Sequence, residues 1–107
     1  MREISVAELA EWLEDTQRTQ PYLLDVREEW EFQTCHLAKS VLIPMATIPN
    51  RLNDIPDEVP LVVICHHGVR SYQVAAFLAH AGFENVASLA GGVAAWADIV
   101  DPSMAKY

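Results

Sequence analysis

The sequence is short of cysteine, glycine, basic residues and long apolar runs, and each shortage closes a class of explanation. It holds two cysteines, Cys35 and Cys65, in 107 residues. That is too few for a disulfide-stapled scaffold and fits a reducing compartment, which predicts a cytoplasmic protein. Seven Lys and Arg stand against fifteen Asp and Glu, a formal net charge of −8. Such a field disfavours nucleic acid and anionic membrane as partners. It also repels anions, so an anionic ligand must be held by a local arrangement. No apolar run approaches the ~18 residues that would span a bilayer. Met1-Arg2-Glu3 leads into an acidic amphipathic pattern rather than a signal peptide.

What is there is a chain with 51% apolar residues and no low-complexity stretch. Its length predicts one domain over residues 1–107. Ile4-Ser5 reads as a lead-in, and Ser5 with Glu8 forms a capping-box pattern ahead of a helix with Val6, Leu9, Trp12 and Leu13 on one face. Tyr22-Leu23-Leu24 is a buried strand ending in Asp25-Val26-Arg27. Glu28 to Gln33 predicts a short helix anchored by Trp30 and Phe32. Val41-Leu42-Ile43 is a third strand closed by Pro44, and Met45 to Asn53 predicts another short helix. Pro56 and Pro60 punctuate the turn that follows.

Leu61-Val62-Val63-Ile64 is the most strand-like segment and runs straight into Cys65. From Ser71 the period becomes helical, with Val74, Phe77, Leu78 and Ala81 on one face and Gly82 as the stop. Val86 to Leu89 is a further strand. Gly91-Gly92 opens a last helix through Val93, Trp96 and Ile99, with Trp96, like Trp30, a packing residue. Pro102 ends it, and the tail to Tyr107 is expected to drape on the surface. Strands and helices alternate through connections too short for hairpins. The pattern predicts a three-layer α/β/α domain around a mainly parallel sheet of roughly five strands. Ligands of such sheets bind at the carboxyl ends of strands, where Cys65 sits.

The segment from Cys65 to Ser71 is suited to a reactive thiol. A helix N-terminus and a nearby cation both favour thiolate, and here the helix opening at Ser71 and the fixed charge of Arg70 supply them. Gly68 lets the backbone turn so that successive amides face an anion. No carboxylate lies between Cys65 and Ser71. His66 and His67 add charge at mildly acidic pH. Asp25 and Arg27, at a strand end, are expected to pair and support the loops, and His36 is expected to be a satisfied structural histidine.

At these residues the chain resembles the rhodanese family of single-domain sulfurtransferases. Cys65-His66-His67-Gly68-Val69-Arg70-Ser71 is similar to that family's active-site pattern of cysteine, two variable residues, glycine, a variable residue, arginine and serine or threonine. Leu24-Asp25-Val26-Arg27 with Glu31-Phe32 resembles its first signature. His36 followed by Ile43-Pro44 resembles the second, and Gly82-Phe83 with Gly91-Gly92-Val93 and Trp96 the C-terminal segment. In the second signature, Cys35-His36-Leu37-Ala38-Lys39 stands where the family reads glycine, histidine, an aliphatic residue, proline and glycine. The resemblance implies a rhodanese-like fold and a persulfide mechanism. Cys65 would take sulfur from a small sulfur-containing anion such as thiosulfate, or from a persulfide, and pass it to cyanide or to a small or protein thiol. The loop from His66 through Ser71 would bind the substrate. No cofactor is implied.

Two other readings stay open at this level. Cysteine-based phosphatases and arsenate reductases also set a cysteine in an anion-binding loop before a helix, but loops of that kind resembling this one place five residues between cysteine and arginine. Here there are four, His66 to Val69, a tighter ring suited to one sulfur atom. A non-catalytic binding or oxidant-sensing module is the other, in which Cys35 would resolve an oxidised Cys65. Cys35 otherwise reads as an incidental thiol. The cysteines lack the paired spacing of a zinc site.

Overall fold

Strand β4, Leu61–Ile64, is the centre of the molecule because both of its faces are covered. Alternation along a strand sends successive side chains to opposite faces. Leu61, Val63 and Cys65 therefore join one apolar cluster with Val74, Ala75 and Leu78, while Val62 and Ile64 join the other with Leu9, Trp12, Val93 and Trp96. A strand buried on both faces needs an unbroken apolar run, which is what these four positions supply. The computed structural model describes Met1–Tyr107.

Five strands form one sheet: β1 (Arg2–Ile4), β2 (Tyr22–Asp25), β3 (Val41–Leu42), β4 and β5 (Val86–Leu89), in the order β1-β5-β4-β2-β3. Every pairing is parallel, as the alternation of strands with helices predicts. The helices are α1 (Val6–Glu14), α2 (Glu29–Thr34), α3 (Val69–His80) and α4 (Gly92–Ala95). The chain leaves β2 towards the β3 edge and leaves β4 towards the β5 edge. The crevice between the carboxyl ends of β2 and β4 is thus the point where the winding reverses, the place where open α/β sheets bind ligands. No helix is long and apolar enough to cross a membrane.

Several local expectations are corrected. The α3 helix starts at Val69, two residues before Ser71, because Gly68 caps it with φ 105°. Its buried stripe is Ser71, Val74, Ala75 and Leu78, a helical i, i+3, i+4, i+7 series. Phe77 and Ala81 fall outside the stripe and are exposed. Met45 to Asn53 is two 3₁₀ helices, Met45–Asn50 and Leu52–Asp54, with Pro49 inside the first; proline has no N–H to continue an α-helical ladder. The last helix has one α turn and then widens to a π turn over Trp96–Val100, leaving Ile99 exposed while Trp96 is buried. Only half of the capping box at α1 forms: Ser5 Oγ accepts the Glu8 N–H at 3.1 Å, while the Glu8 carboxylate reaches Arg2 at 4.0 Å. Trp30 is not an anchor, being 61% exposed; Phe32 is half-buried and stacks on His36.

The turn from Cys35 to Lys39 carries backbone strain. Lys39 has φ 68°, the one non-glycine residue in the left-handed region, and it stands where the signature has its second glycine. A side chain there costs about 1 kcal/mol.

Candidate active site

Cys65 ends β4 with only 1% of its surface exposed. Its Sγ accepts the N–H of Gly68 at 3.1 Å and of Ser71 at 3.3 Å, and it lies 3.4 Å from Ser71 Oγ. Ser71 Oγ in turn shares a 2.8 Å hydrogen bond with Ser88 Oγ on β5. A hydroxyl rotates to donate or accept, so Ser71 can take a proton contact from a thiol or give one to a thiolate. Two amides and a hydroxyl around one buried sulfur form a cradle for negative charge on sulfur.

The loop is also tied to the last helix through its first carbonyls. The carbonyls of Cys65 and His66 accept the N–H groups of Val93, at 2.9 Å, and Ala94, at 3.0 Å. These two bonds fasten the start of the loop to the first turn of α4, while the amides that reach the sulfur come from Gly68 and Ser71, further along the chain. Gly92 makes this contact possible: a Cβ on it would stand 2.3 Å from the Cys65 carbonyl oxygen. Gly68, with φ 105°, supplies the tight turn between thiol and helix.

Arg70 is not the free charge that the local sequence suggests. Its guanidinium grips Glu31 in a fork, Nη1 to Oε1 at 2.7 Å and Nη2 to Oε2 at 2.9 Å. Glu31 Oε1 also accepts the Glu28 N–H at 3.0 Å, and Oε2 accepts the Tyr107 hydroxyl at 2.9 Å. The Arg70 hydrogen bonds lead in holding the Glu31 carboxyl far down, at about 2. The fold thus brings a carboxylate to the loop from 39 residues away.

Behind Glu31 lies the pair expected from the strand end. Arg27 and Asp25 are both fully buried, with Nε to Oδ1 at 2.9 Å and Nη2 to Oδ2 at 2.8 Å. Arg27 spends its remaining donors on the Cys35 carbonyl at 2.7 Å, the Glu31 carbonyl at 3.3 Å and the Tyr107 hydroxyl at 2.8 Å. A buried ion pair with all its donors used ties the end of β2, the α2 segment and the C-terminal tail to one another. Tyr107 corrects the expectation of a tail draped on the surface. Its hydroxyl bridges Arg27 and Glu31, and its ring packs 4.2 Å from that of His66.

The remaining predicted residues divide. His66 and His67 sit at the mouth with Val69, and their rings meet edge to face at 4.1 Å. Burial first, and then the neighbouring His67, push the His66 imidazole down, so it is neutral at pH 7. Its Nδ1 is buried without a protein partner. His36 is exposed, and both its hydrogen bond and its stacking contact are with Phe32 rather than with the loop. No three His, Cys, Asp or Glu side chains converge as a metal-ligand set. Sequence reasoning missed Ser88 and Tyr107 and gave Glu31 no role. A serine within the buried strand Val86–Leu89 is the only one of these with a local signal.

The Glu31 clamp makes stability depend on pH in a defined window. Its folded pKa of about 2 lies below the ordinary 4.5, so the stabilisation is complete above 4.5 and fades as pH falls towards 2. At about 1.36 kcal/mol per pH unit this is on the order of 3 kcal/mol. Glu31→Gln is therefore expected to be destabilised by that order at pH 7. The gap from the parent protein should close as denaturant unfolding is followed down to pH 2. A gap that stays constant with pH would count against the clamp.

Comparison with known proteins agrees with this geometry. A family model described as the rhodanese-like domain matches residues 5–99. A protein named sulfurtransferase from Allochromatium vinosum is 35% identical over 97 residues, covering 91% of this chain and 89% of its own. The thiosulfate sulfurtransferase GlpE of Pseudoalteromonas translucida is 30% identical, covering 89% and 88%. Among solved structures, a rhodanese-related protein from Thermoplasma volcanium superposes with a TM-score of 0.82 at 30% identity, covering 92% of each chain. The sheet order, the sulfur cradle and the matches lead to one conclusion: this chain belongs to the rhodanese-like family, among whose members are relatives named sulfurtransferase.

Proposed function

We propose that the protein moves sulfane sulfur through a persulfide on Cys65. The observation that carries this reading is the pair of amides, Gly68 and Ser71, directed at Sγ within 3.3 Å. They stabilise negative charge on sulfur, as oxyanion-hole donors do for oxygen. With thiosulfate as donor, the Cys65 thiolate attacks the outer sulfur, a new S–S bond forms and sulfite leaves with the electron pair of the old one. An acceptor such as cyanide then attacks the outer sulfur of Cys65–S–S⁻, giving thiocyanate and returning the thiolate. Splitting one transfer into two displacements is nucleophilic catalysis, and no external oxidant is needed. Arg70 retains N–H groups beyond the two that grip Glu31, and these can orient the donor at the pocket mouth. The Asp25–Arg27 pair holds the frame.

Incubating the protein with thiosulfate and mapping peptides by mass spectrometry is expected to show one added sulfur atom on the Cys65 peptide. Cyanide should then remove that sulfur as thiocyanate. Hydrolysis of an aryl phosphate that depends on Cys65, with no thiocyanate formed, would overturn the assignment in favour of phosphatase chemistry.

A further inference from the structure

A second cavity adjoins the thiol pocket, and the reaction as described leaves it unused. It measures about 240 Å³ and is lined by Cys35, Val93, Ala94, Ala97 and Ala105. Three residues, His66, His67 and Tyr107, are walls of both this cavity and the pocket that contains Cys65 and Arg70. The volume is below the ~300 Å³ at which drug-sized ligand sites begin, so it suits a small organic group.

The charges around both spaces are paired off within the protein. Arg70 is held by Glu31, Arg27 by Asp25, and Lys106 by Asp98 at 2.7 Å on the cavity's exposed rim. The His66 ring between the two spaces is neutral at pH 7 because of its burial. The whole chain carries −8. Arg70 lines the thiol pocket and not this cavity, whose one Lys is held by Asp98, so an acceptor whose body carries a carboxylate, sulfonate or phosphate finds no unpaired Lys or Arg in the cavity wall. An uncharged apolar body, by contrast, buries itself against valine and alanine side chains and gains from leaving water.

We propose that this cavity is an acceptor subsite that seats the uncharged, apolar body of a small organic thiol taking sulfur from Cys65. The proposal rests on the persulfide reading above and names the acceptor class for it. In the step, the acceptor thiol gives its proton to solvent and its thiolate attacks the outer sulfur of Cys65–S–SH. The S–S bond to Cys65 breaks, Cys65 leaves as thiolate, and the acceptor departs as an organic persulfide, R–S–SH. Atoms and electrons balance with no further reagent.

The test is a single-turnover discharge. Protein loaded with sulfur on Cys65 is freed of donor and mixed with butanethiol, with 2-mercaptoethanesulfonate or with cyanide, and loss of the added sulfur from the Cys65 peptide is timed. Filling the cavity with Ala105→Phe, or independently with Ala97→Leu, is expected to lower the butanethiol rate relative to the cyanide rate by about tenfold or more, the scale on which apolar pockets discriminate. The sulfonate-to-cyanide ratio should stay level. The subsite is refuted if both variants slow all three acceptors alike, or if butanethiol keeps its rate in both filled proteins. Failure to load Cys65 at all would remove the persulfide reading itself, and normal discharge to cyanide separates that outcome from failure of the subsite alone.

Discussion

Cys65→Ser is expected to abolish sulfur transfer while leaving the fold in place. Serine is nearly isosteric, and its oxygen can accept the Gly68 and Ser71 amides that now meet Sγ at 3.1 and 3.3 Å. The buried donors therefore stay satisfied, and stability should change by no more than about 1 kcal/mol. The chemistry has no such substitute. An alcohol is far harder to ionise than a thiol and forms no S–S bond, so neither displacement can occur. Loss of a nucleophile that acts with its whole site lowers turnover by roughly 10³-fold or more. Thiocyanate formation and a thermal melt of the same sample check both halves. Residual turnover near the parent rate would mean that Cys65 does not carry the sulfur.

Gly92→Ala is expected to be the most damaging single methyl group that can be added to this protein. The new Cβ would lie 2.3 Å from the Cys65 carbonyl oxygen and 2.5 Å from that of His66. Both are backbone atoms, and both are hydrogen-bonded to the turn that Gly92 begins. The residue also has φ 59°, a region that costs a side chain about 1–2 kcal/mol before any clash. With overpacking added, the destabilisation should be on the order of 3 kcal/mol. The relief available is to displace the backbone of Cys65 and His66, which moves the sulfur relative to the Gly68 and Ser71 amides that it now meets. Activity should therefore fall further than the folded fraction does. Gly82→Ala is the control, because a Cβ there meets nothing within 4 Å and only the left-handed φ of 109° is paid for. Denaturant unfolding of the two variants, with activity per folded molecule, separates the effects. Equal stability losses in both would mean that the close approach at Gly92 does not matter.

The contrast between these glycines shows where reading a sequence stops. Gly68, Gly82 and the Gly91-Gly92 pair all read as punctuation, because a glycine before or after a helical period is a local signal. That Gly92 instead marks a contact with a loop from a different strand follows only from packing. Trp30 shows the reverse error. On a helix of six residues too few turns exist for spacing to define a face, and the bulk of a tryptophan was a poor guide to burial.

Short-range patterns by themselves determined the centre of the protein. Four apolar residues of β4, the cysteine that ends them, a glycine and the start of a helix are neighbours in the chain, and strand and helix periods act over a few residues. Alternation of strands with helices likewise sufficed for a parallel sheet with helices on both faces. Only the tertiary structure decided the electrostatics of the site. Glu31 reaches Arg70 across 39 positions, Tyr107 reaches Glu31 across 76, and Ser88 reaches Ser71 across 17. Such partners are chosen by sheet order and by the burial of polar groups that must be satisfied, which no local window contains. For that reason the setting of the thiol, at a strand end before a glycine and a helix, was legible from its own loop, whereas the pairing of Arg70 with Glu31 and the apolar cavity beside it were not.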